Sequence, residues 1–391
     1  MKRAVIIILL VTGWKLVNLT ATPMFGDESV YCWWGYQTAN LGVSQAWGEM
    51  VNQKRIAPMV SLIQGVGFAI FPQAAPISLC RGVSVMAASL TGLILFIWLK
   101  SWPALIFWLL NPFNFFNDRT SLQEPVLNLF IVMLVVSMQS KQLVKVGLFL
   151  TLAFLTKLTT LMLVPGLVIW AIWQRKMAVA GVIVLVTIAF RWWAVTFTHL
   201  WDIFGYHTYA DWSVGNLVSR AIINLRLTMS WYQQYLTYGF WVLAGLGIWQ
   251  SLRRRQWQGL IILIPLLSGY VLLADSYFPR LLLVTLPFWA IILSYATKTK
   301  MGWVIFGLIL IVWIKNDVAI VWHPESAGIA KEDYFQFYQD WTSGKTVRQA
   351  VMNWQNQPEL RVVKIPKDME ATWRIYKLEL AKEKPIELVI E

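Results

Sequence analysis

Apolar runs long enough to cross a bilayer recur from the N-terminus to about Asn316, with short polar stretches between them. Each crossing needs roughly 20 residues of helix. The first covers about Ala4 to Thr20, behind Lys2 and Arg3. Another begins near Ile77 and ends at Lys100, and a third begins near Pro125 and stops before Lys141 and Lys145. Arg175 and Lys176 follow Trp173, Arg253 to Arg255 follow Gln250, and Lys298 and Lys300 follow Ala296. Basic clusters of this kind mark the cytoplasmic ends of apolar helices. The stretch from Val146 to Trp173 does not fit as one helix, which would be about 42 Å long. It is basic at both ends and carries Lys157 near its middle, where a charge costs about 3 kcal/mol or more. Two short helices meeting near Lys157 at the outer face remove both problems, with Pro165 in the second. The pattern predicts about eleven spans, with the N-terminus cytoplasmic and the C-terminus extracytoplasmic. No small-residue cleavage site follows the first apolar stretch, which therefore reads as an uncleaved span.

This topology leaves four informative segments outside. Ala21 to about Pro76 mixes polar residues with short apolar stretches, as membrane-surface helices do. Asn114–Glu124, Thr198–Tyr235 and Asp275–Arg280 are the others. After Val318 the chain turns polar; Thr346–Trp354 reads as a helix, and Arg361–Ile365 and Ile386–Ile390 as strands. The expected fold is an all-α polytopic membrane protein with outer juxtamembrane helices and a small α/β tail. Residues 1–317 form its transmembrane unit, with an outer loop over 21–76, and residues 318–391 a small extracytoplasmic unit. No internal repeat or low-complexity run is evident.

Composition agrees: 58% of residues are hydrophobic and 14% charged, where a soluble chain carries about a quarter charged. The net charge of +13 is distributed as membrane anchors between apolar runs, so it does not point to nucleic acid. The 24 tryptophans suit a membrane-interface belt, and some could stack on sugar rings. Cys32 and Cys80 both fall near the outer face. One bridge is open to them, but two free thiols are the expectation.

Several charged residues sit where a solvated surface is not the whole explanation. Asp27 and Glu28 are adjacent carboxylates just past the first span. Glu124 opens a later span before Pro125, where capping chemistry alone would suffice. Lys54, Arg55, Arg81 and Arg280 place cations on the outer face, against the positive-inside trend. Each alone could be an interface anchor; together they suit a bound anion such as a lipid phosphate. His199, Asp202, His207 and Asp211 could shape an acceptor site or hold metal, though plain polar surface is the expectation.

In order and sidedness these residues resemble the GT-C superfamily, specifically the protein O-mannosyltransferase and aminoarabinose transferase relatives. The matching features are Asp27–Glu28 after the first span, then Lys54, Arg55 and Pro58, Arg81 at the next span, Glu124–Pro125, Lys157 at the break of a hairpin, and Arg280 with Pro287. The likeness covers about residues 1–300. The chain departs from the pattern at Leu281, where relatives carry an aromatic, and in having one proline in the first loop where they often have two. The resemblance implies an inverting glycosyltransferase of the plasma membrane, moving a hexosyl or pentosyl group from a polyprenyl-phosphate-linked donor at the outer face. It implies Asp27 as general base and no nucleotide-sugar site. Glu28 and Glu124 join Asp27 as catalytic candidates, with Glu28 pointing elsewhere to position loop groups or substrate. Lys54, Arg55, Arg81, Lys157 and Arg280 are the carrier-phosphate candidates. No cofactor is required, although Asp27, Glu28 and Glu124 could bind a divalent metal. The acceptor, whether glycan, lipid or protein, is left open.

Two rivals predict different patterns. A transporter or flippase would place ionisable groups near mid-membrane and often shows inverted repeats. A non-catalytic assembly partner would tolerate a neutral Asp27.

Overall fold

The computed structural model describes residues 1–53, 56–200, 213–274, 277–340, 343–356, 362–365, 369–380 and 387–390. Lys54, Arg55, Asp202, His207 and Asp211 lie outside these residues. The first half contains α1 (Lys2–Leu16), α2 (Gly26–Leu41), α3 (Val43–Gly48), α4 (Met59–Ile70), α5 (Pro76–Leu99), α6 (Trp102–Leu110) and α7 (Pro112–Asp118). It continues with α8 (Glu124–Gln139), α9 (Leu143–Thr156), α10 (Val164–Trp173) and α11 (Met177–Thr196). Then come α12 (Val214–Arg253), α13 (Gln258–Leu273), α14 (Leu286–Ala296) and α15 (Lys300–Trp322).

The chain is a polytopic membrane protein. Four helical stretches among the described residues are long and apolar enough to cross a membrane: Pro76–Leu99, Met177–Thr196, Pro279–Ala296 and Lys300–Trp322. Five shorter apolar helical stretches accompany them. Leu185, Ile188 and Trp192 on α11, and Val304, Leu308 and Ile311 on α15, point outward and are exposed. Apolar surface of that extent marks a membrane-facing side. Inside, α5 packs on α1 and α8, α8 on α9, and α12 on α13 and α14.

Two helix interruptions shape the interior. α9 ends at Lys157, which is extended (φ −159°, ψ 127°), and a 3₁₀ turn over Leu158–Leu163 leads into α10. The second lies in α12, where Thr237 has φ 71°. A threonine in that region costs about 1–3 kcal/mol and needs support from its surroundings. Trp313 Nε1 donates to the adjacent Leu236 carbonyl at 3.3 Å, and Gly239 packs directly on Ile309. The sequence pattern placed Thr198–Tyr235 in an outer loop; its part from Val214 is instead helix. Trp231, Tyr232, Tyr235 and Leu236 are buried along one side of it, so a helical face supplies the packing that the polar residues obscured.

Cys32 and Cys80 form a disulfide with a Cα–Cα separation of 5.7 Å, which corrects the expectation of two free thiols. α2 and α5 pack side by side and bring together cysteines 48 positions apart. The tail adds α16 (Lys331–Tyr334), a π-helical turn over Phe335–Gln339, α17 (Gly344–Asn356), β1 (Val362–Ile365), α18 (Glu370–Leu380) and β2 (Glu387–Ile390). β1 and β2 pair in parallel, Val362 opposite Glu387 and Ile365 opposite Ile390, a geometry that requires a crossover. α18, absent from the sequence reading, lies between the two strands in sequence. Its Trp373, Ile375 and Tyr376 are buried with Met24, Cys32 and Phe68 of the segment between α1 and α5, and with Cys80 of α5. The Met24 amide donates to the Tyr376 hydroxyl at 2.8 Å, and the Ile77 amide to Glu379 at 2.9 Å. The tail thus grips the loop that carries Asp27 and Glu28.

Candidate active site

α2 begins at Gly26, so Asp27 and Glu28 both lie in its first turn. Successive helical positions are about 100° apart, and the two carboxylates diverge accordingly. Glu28 turns inward and is fully buried. It accepts hydrogen bonds from the Phe25 amide at 3.1 Å, the Ser121 amide at 2.8 Å, and Arg81 Nε and Nη2 at 3.0 and 3.2 Å. Arg81, also fully buried, spends its remaining N–H groups on the carbonyls of Leu19, Thr22 and Pro23. A guanidinium has five N–H donors, and all are engaged. Arg81 was expected among the phosphate-binding cations; with no free donor and no exposed surface, it anchors the loop instead. Glu28 positions the same loop against the start of α8.

Asp27 turns the other way. Its Oδ2 accepts from Arg280 Nη2 at 2.9 Å, and its side chain is 48% exposed. Arg280 stands in the 3₁₀ turn Pro279–Thr285 that leads into α14. Its guanidinium lies 4.9 Å from the Phe25 ring centre and 5.4 Å from that of Phe278. Cation–π contacts of this kind hold a guanidinium in place. Arg280 Nη1 is buried and has no hydrogen-bond partner. Glu124 opens α8, is buried, and pairs with Lys157 at the α9 break. Lys157 is extended where α9 ends and presents its ammonium to Glu124.

Two further residues belong to this constellation and were missed in the sequence. Tyr31, four positions after Asp27, shares its face of α2. Burial pushes its phenol above the usual tyrosine range, and the Asp27 and Glu124 carboxylates push it further, against Arg280. It therefore stays protonated near neutrality, as a donor among carboxylates. The i, i+4 spacing from Asp27 was the available signal. Asp333 comes from the tail, is buried, and accepts a hydrogen bond from the Tyr235 hydroxyl. Its carboxyl is pushed up to about 7, mainly by burial, with Tyr235 and Arg280 opposing and Glu332 and Glu124 adding. Nothing in the local sequence singles it out.

Asp27, Glu124, Lys157 and Arg280, with Tyr31 and Asp333, therefore form one electrostatically linked cluster built from α2, α8, the α9 break, the 3₁₀ turn and the tail. Lys54 and Arg55 lie outside the described residues. His199 is exposed near the end of α11. No group of three or more His, Cys, Asp or Glu among the described residues is arranged to hold a metal ion. Asp27, Glu28 and Glu124 each face a cationic side chain instead.

The backbone architecture has a solved counterpart. The crystal structure of ArnT from Cupriavidus metallidurans bound to undecaprenyl phosphate superposes with a TM-score of 0.59. The match covers 96% of this chain and 75% of that one, at 15% identity. This chain shares the ArnT fold. The GT-C resemblance carried by the order of the motifs thus extends to the fold. No family model and no curated protein sequence matches the chain.

Proposed function

We propose that this protein is a glycosyltransferase that moves a sugar from a polyprenyl-phosphate carrier to an acceptor at the outer face of the membrane. The observation that carries the reading is the Asp27–Arg280 pair. A half-exposed carboxylate is held beside a guanidinium whose Nη1 is without a partner. The likeness in fold to a protein bound to undecaprenyl phosphate supports the carrier class.

The step follows from these groups. An acceptor hydroxyl or amine attacks the anomeric carbon, and its proton passes to the Asp27 carboxylate. The bond from the anomeric carbon to the phosphate oxygen breaks, and its electron pair leaves with the lipid phosphate. A single displacement inverts the anomeric centre. Arg280 serves two sides at once, orienting Asp27 through Nη2 and setting its positive charge beside the phosphate. Lys157, paired with Glu124 at the α9 break, adds positive charge on the same side. Charge grows on that phosphate as the bond breaks, so the cations favour the transition state over the bound donor. In this reading they also supply the charge that a divalent metal would bring.

The same reading places the site outside the cytoplasm. Disulfides such as Cys32–Cys80 persist in oxidising compartments, and this one braces the helix that carries Asp27. The topology that goes with it has about eleven spans and a cytoplasmic N-terminus. Residues 318–391 then form an extracytoplasmic unit against the site.

The test is mass analysis of lipid-linked sugars and envelope glycans in cells with and without the gene. Loss of the gene should let one polyprenyl-phosphate-linked sugar accumulate and strip that sugar from an acceptor. Unchanged profiles of both would overturn the reading.

A further inference from the structure

The helices that hold the candidate site also reach the opposite end of the molecule. α8 runs away from Glu124 to Gln139, α9 returns from Leu143 to the break at Lys157, and α14 runs from Leu286, past the turn of Arg280, to Ala296. Five tight turns among the described residues close this far end. They are 100–101 after α5, 140–142 after α8, 174–176 after α10, 254–257 after α12 and 297–299 after α14. Side-chain contacts tie them together. The Trp98 indole donates to Gln139, whose amide donates to Gln258 at 2.8 Å. Lys176 Nζ donates to the Met138 and Gln139 carbonyls at 3.2 and 3.1 Å. Trp173 lies 6.2 Å from Trp257 between ring centres, and the Tyr295 hydroxyl donates to Gln256 at 3.4 Å.

This end is basic and carries no acid. The turns, with the three residues on either side of each, hold ten Lys and Arg and no Asp or Glu. All of these cations except Lys176 are exposed, and among the described residues none of them makes an ion pair. Burial and the neighbouring Lys141 hold the Lys176 ammonium below the usual lysine range, as like charges without a counter-charge should. Four of the cations also stand where glycine is usual. Lys100, Lys141, Arg175 and Arg255 follow helix ends with φ of 50°, 55°, 54° and 55°, the left-handed region in which a Cβ is strained. Glycine would close those turns without strain. The helix dipole favours a cation near each such end, but a neighbouring position would satisfy it equally. A one-signed surface of this density needs anions from outside the chain.

The anion that fits is a lipid headgroup. Trp173, Trp249 and Trp303 are exposed within four residues of these cations, and indoles favour the level where membrane meets water. Turns this short do not project beyond that level, so an acidic soluble partner would find no loop to grip. We propose that this end of the protein binds the headgroups of anionic phospholipids and retains them as bound lipid. Arg175 and the run Arg253–Arg255 take phosphate oxygens in the forked geometry of a guanidinium, Lys100, Lys141 and Lys298 add point charges, and the exposed indoles lie along the upper acyl chains. The inference does not depend on sugar transfer.

The test uses the full chain, delipidated in a neutral detergent and measured by native mass spectrometry, with dioleoyl phosphatidylglycerol and dioleoyl phosphatidylcholine as probes. A polyglutamate peptide is the comparison probe. The wild type should hold phosphatidylglycerol at least about tenfold more tightly than phosphatidylcholine, a preference that two or three surface cations can supply. The combined variant Lys141→Gln, Arg175→Gln, Arg253→Gln and Arg254→Gln should lose that preference. These side chains are exposed, so the variant should melt like the wild type. Lys345→Gln with Arg374→Gln, which removes exposed cations of the tail, should keep it. Raising the salt concentration should weaken the preference of the wild type itself, a measurement that needs no variant to fold. Equal retention of the two lipids by the wild type overturns the inference, and so does a preference unchanged in the combined variant or insensitive to salt. Polyglutamate binding that the combined variant loses, without any lipid preference in the wild type, also overturns it and makes the partner an acidic polypeptide.

Discussion

Asp27 Oδ2 and Arg280 Nη2 lie 2.9 Å apart although 253 positions separate them in the chain. The contact joins the first turn of α2 to the 3₁₀ turn before α14. It gives the proposed general base and the proposed phosphate-binding cation a common position, and substitution can separate the two roles.

Asp27→Asn keeps the shape of the side chain and removes the base. Transfer by the purified protein should fall about a hundredfold to ten-thousandfold, while carrier binding and detergent-extracted yield stay near wild type. A variant that retains more than about a tenth of the wild-type rate would show that Asp27 is not the base, and Glu124 would be tested next.

Arg280→Ala should weaken binding of undecaprenyl phosphate and lower turnover together. Lys at this position should rescue only in part. An ammonium cannot span carboxylate and phosphate with the forked geometry of a guanidinium. Equal carrier affinity in wild type and Ala variant would exclude the role.

Glu28→Ala should act on the fold. It strips Arg81 of its carboxylate where neither side chain is exposed. Breaking a buried pair from one side costs about 3–5 kcal/mol. The expected readout is a large fall in melting temperature and in monodisperse yield. Asp27→Asn, at a half-exposed position, should leave both intact. Normal melting of Glu28→Ala combined with loss of transfer would instead place Glu28 at the chemistry.

The Asp333 carboxyl is raised to about 7 by burial, against about 3.9 in an unfolded chain. Between these values the folded state binds the extra proton, so stability is full at low pH and falls as pH rises toward 7. Asp333→Asn keeps an oxygen to accept from Tyr235 and cannot ionise. Melting temperature measured from pH 5 to 8 should decline less steeply for the variant than for the wild type. Parallel pH profiles would remove Asp333 as the source.

Much of the architecture was legible because it depends on local pattern. A charge in the middle of an overlong apolar run located the break at Lys157, since no single lipid-facing helix tolerates it. Glu124–Pro125 marked a helix start, and the apolar runs with basic ends identified a membrane protein. α18 was legible in principle from its spacing of Met369, Thr372, Trp373 and Tyr376, which puts all four on one buried face. The sequence by itself determined which segments are helices in a membrane and which charged residues needed an explanation. Only the tertiary structure decided how those charges pair. Asp27 and Glu28 are chemically alike and adjacent, yet one is half exposed and the other buried in the core, because α2 rotates them apart and α5 brings Arg81 to one of them alone. Arg81 and Arg280 were likewise equal candidates until packing exhausted the donors of the first and left Nη1 of the second unpaired. The Cys32–Cys80 bridge and the entry of Asp333 into the site have the same origin. Both depend on distances between remote segments, which packing of the whole chain sets and local sequence does not encode.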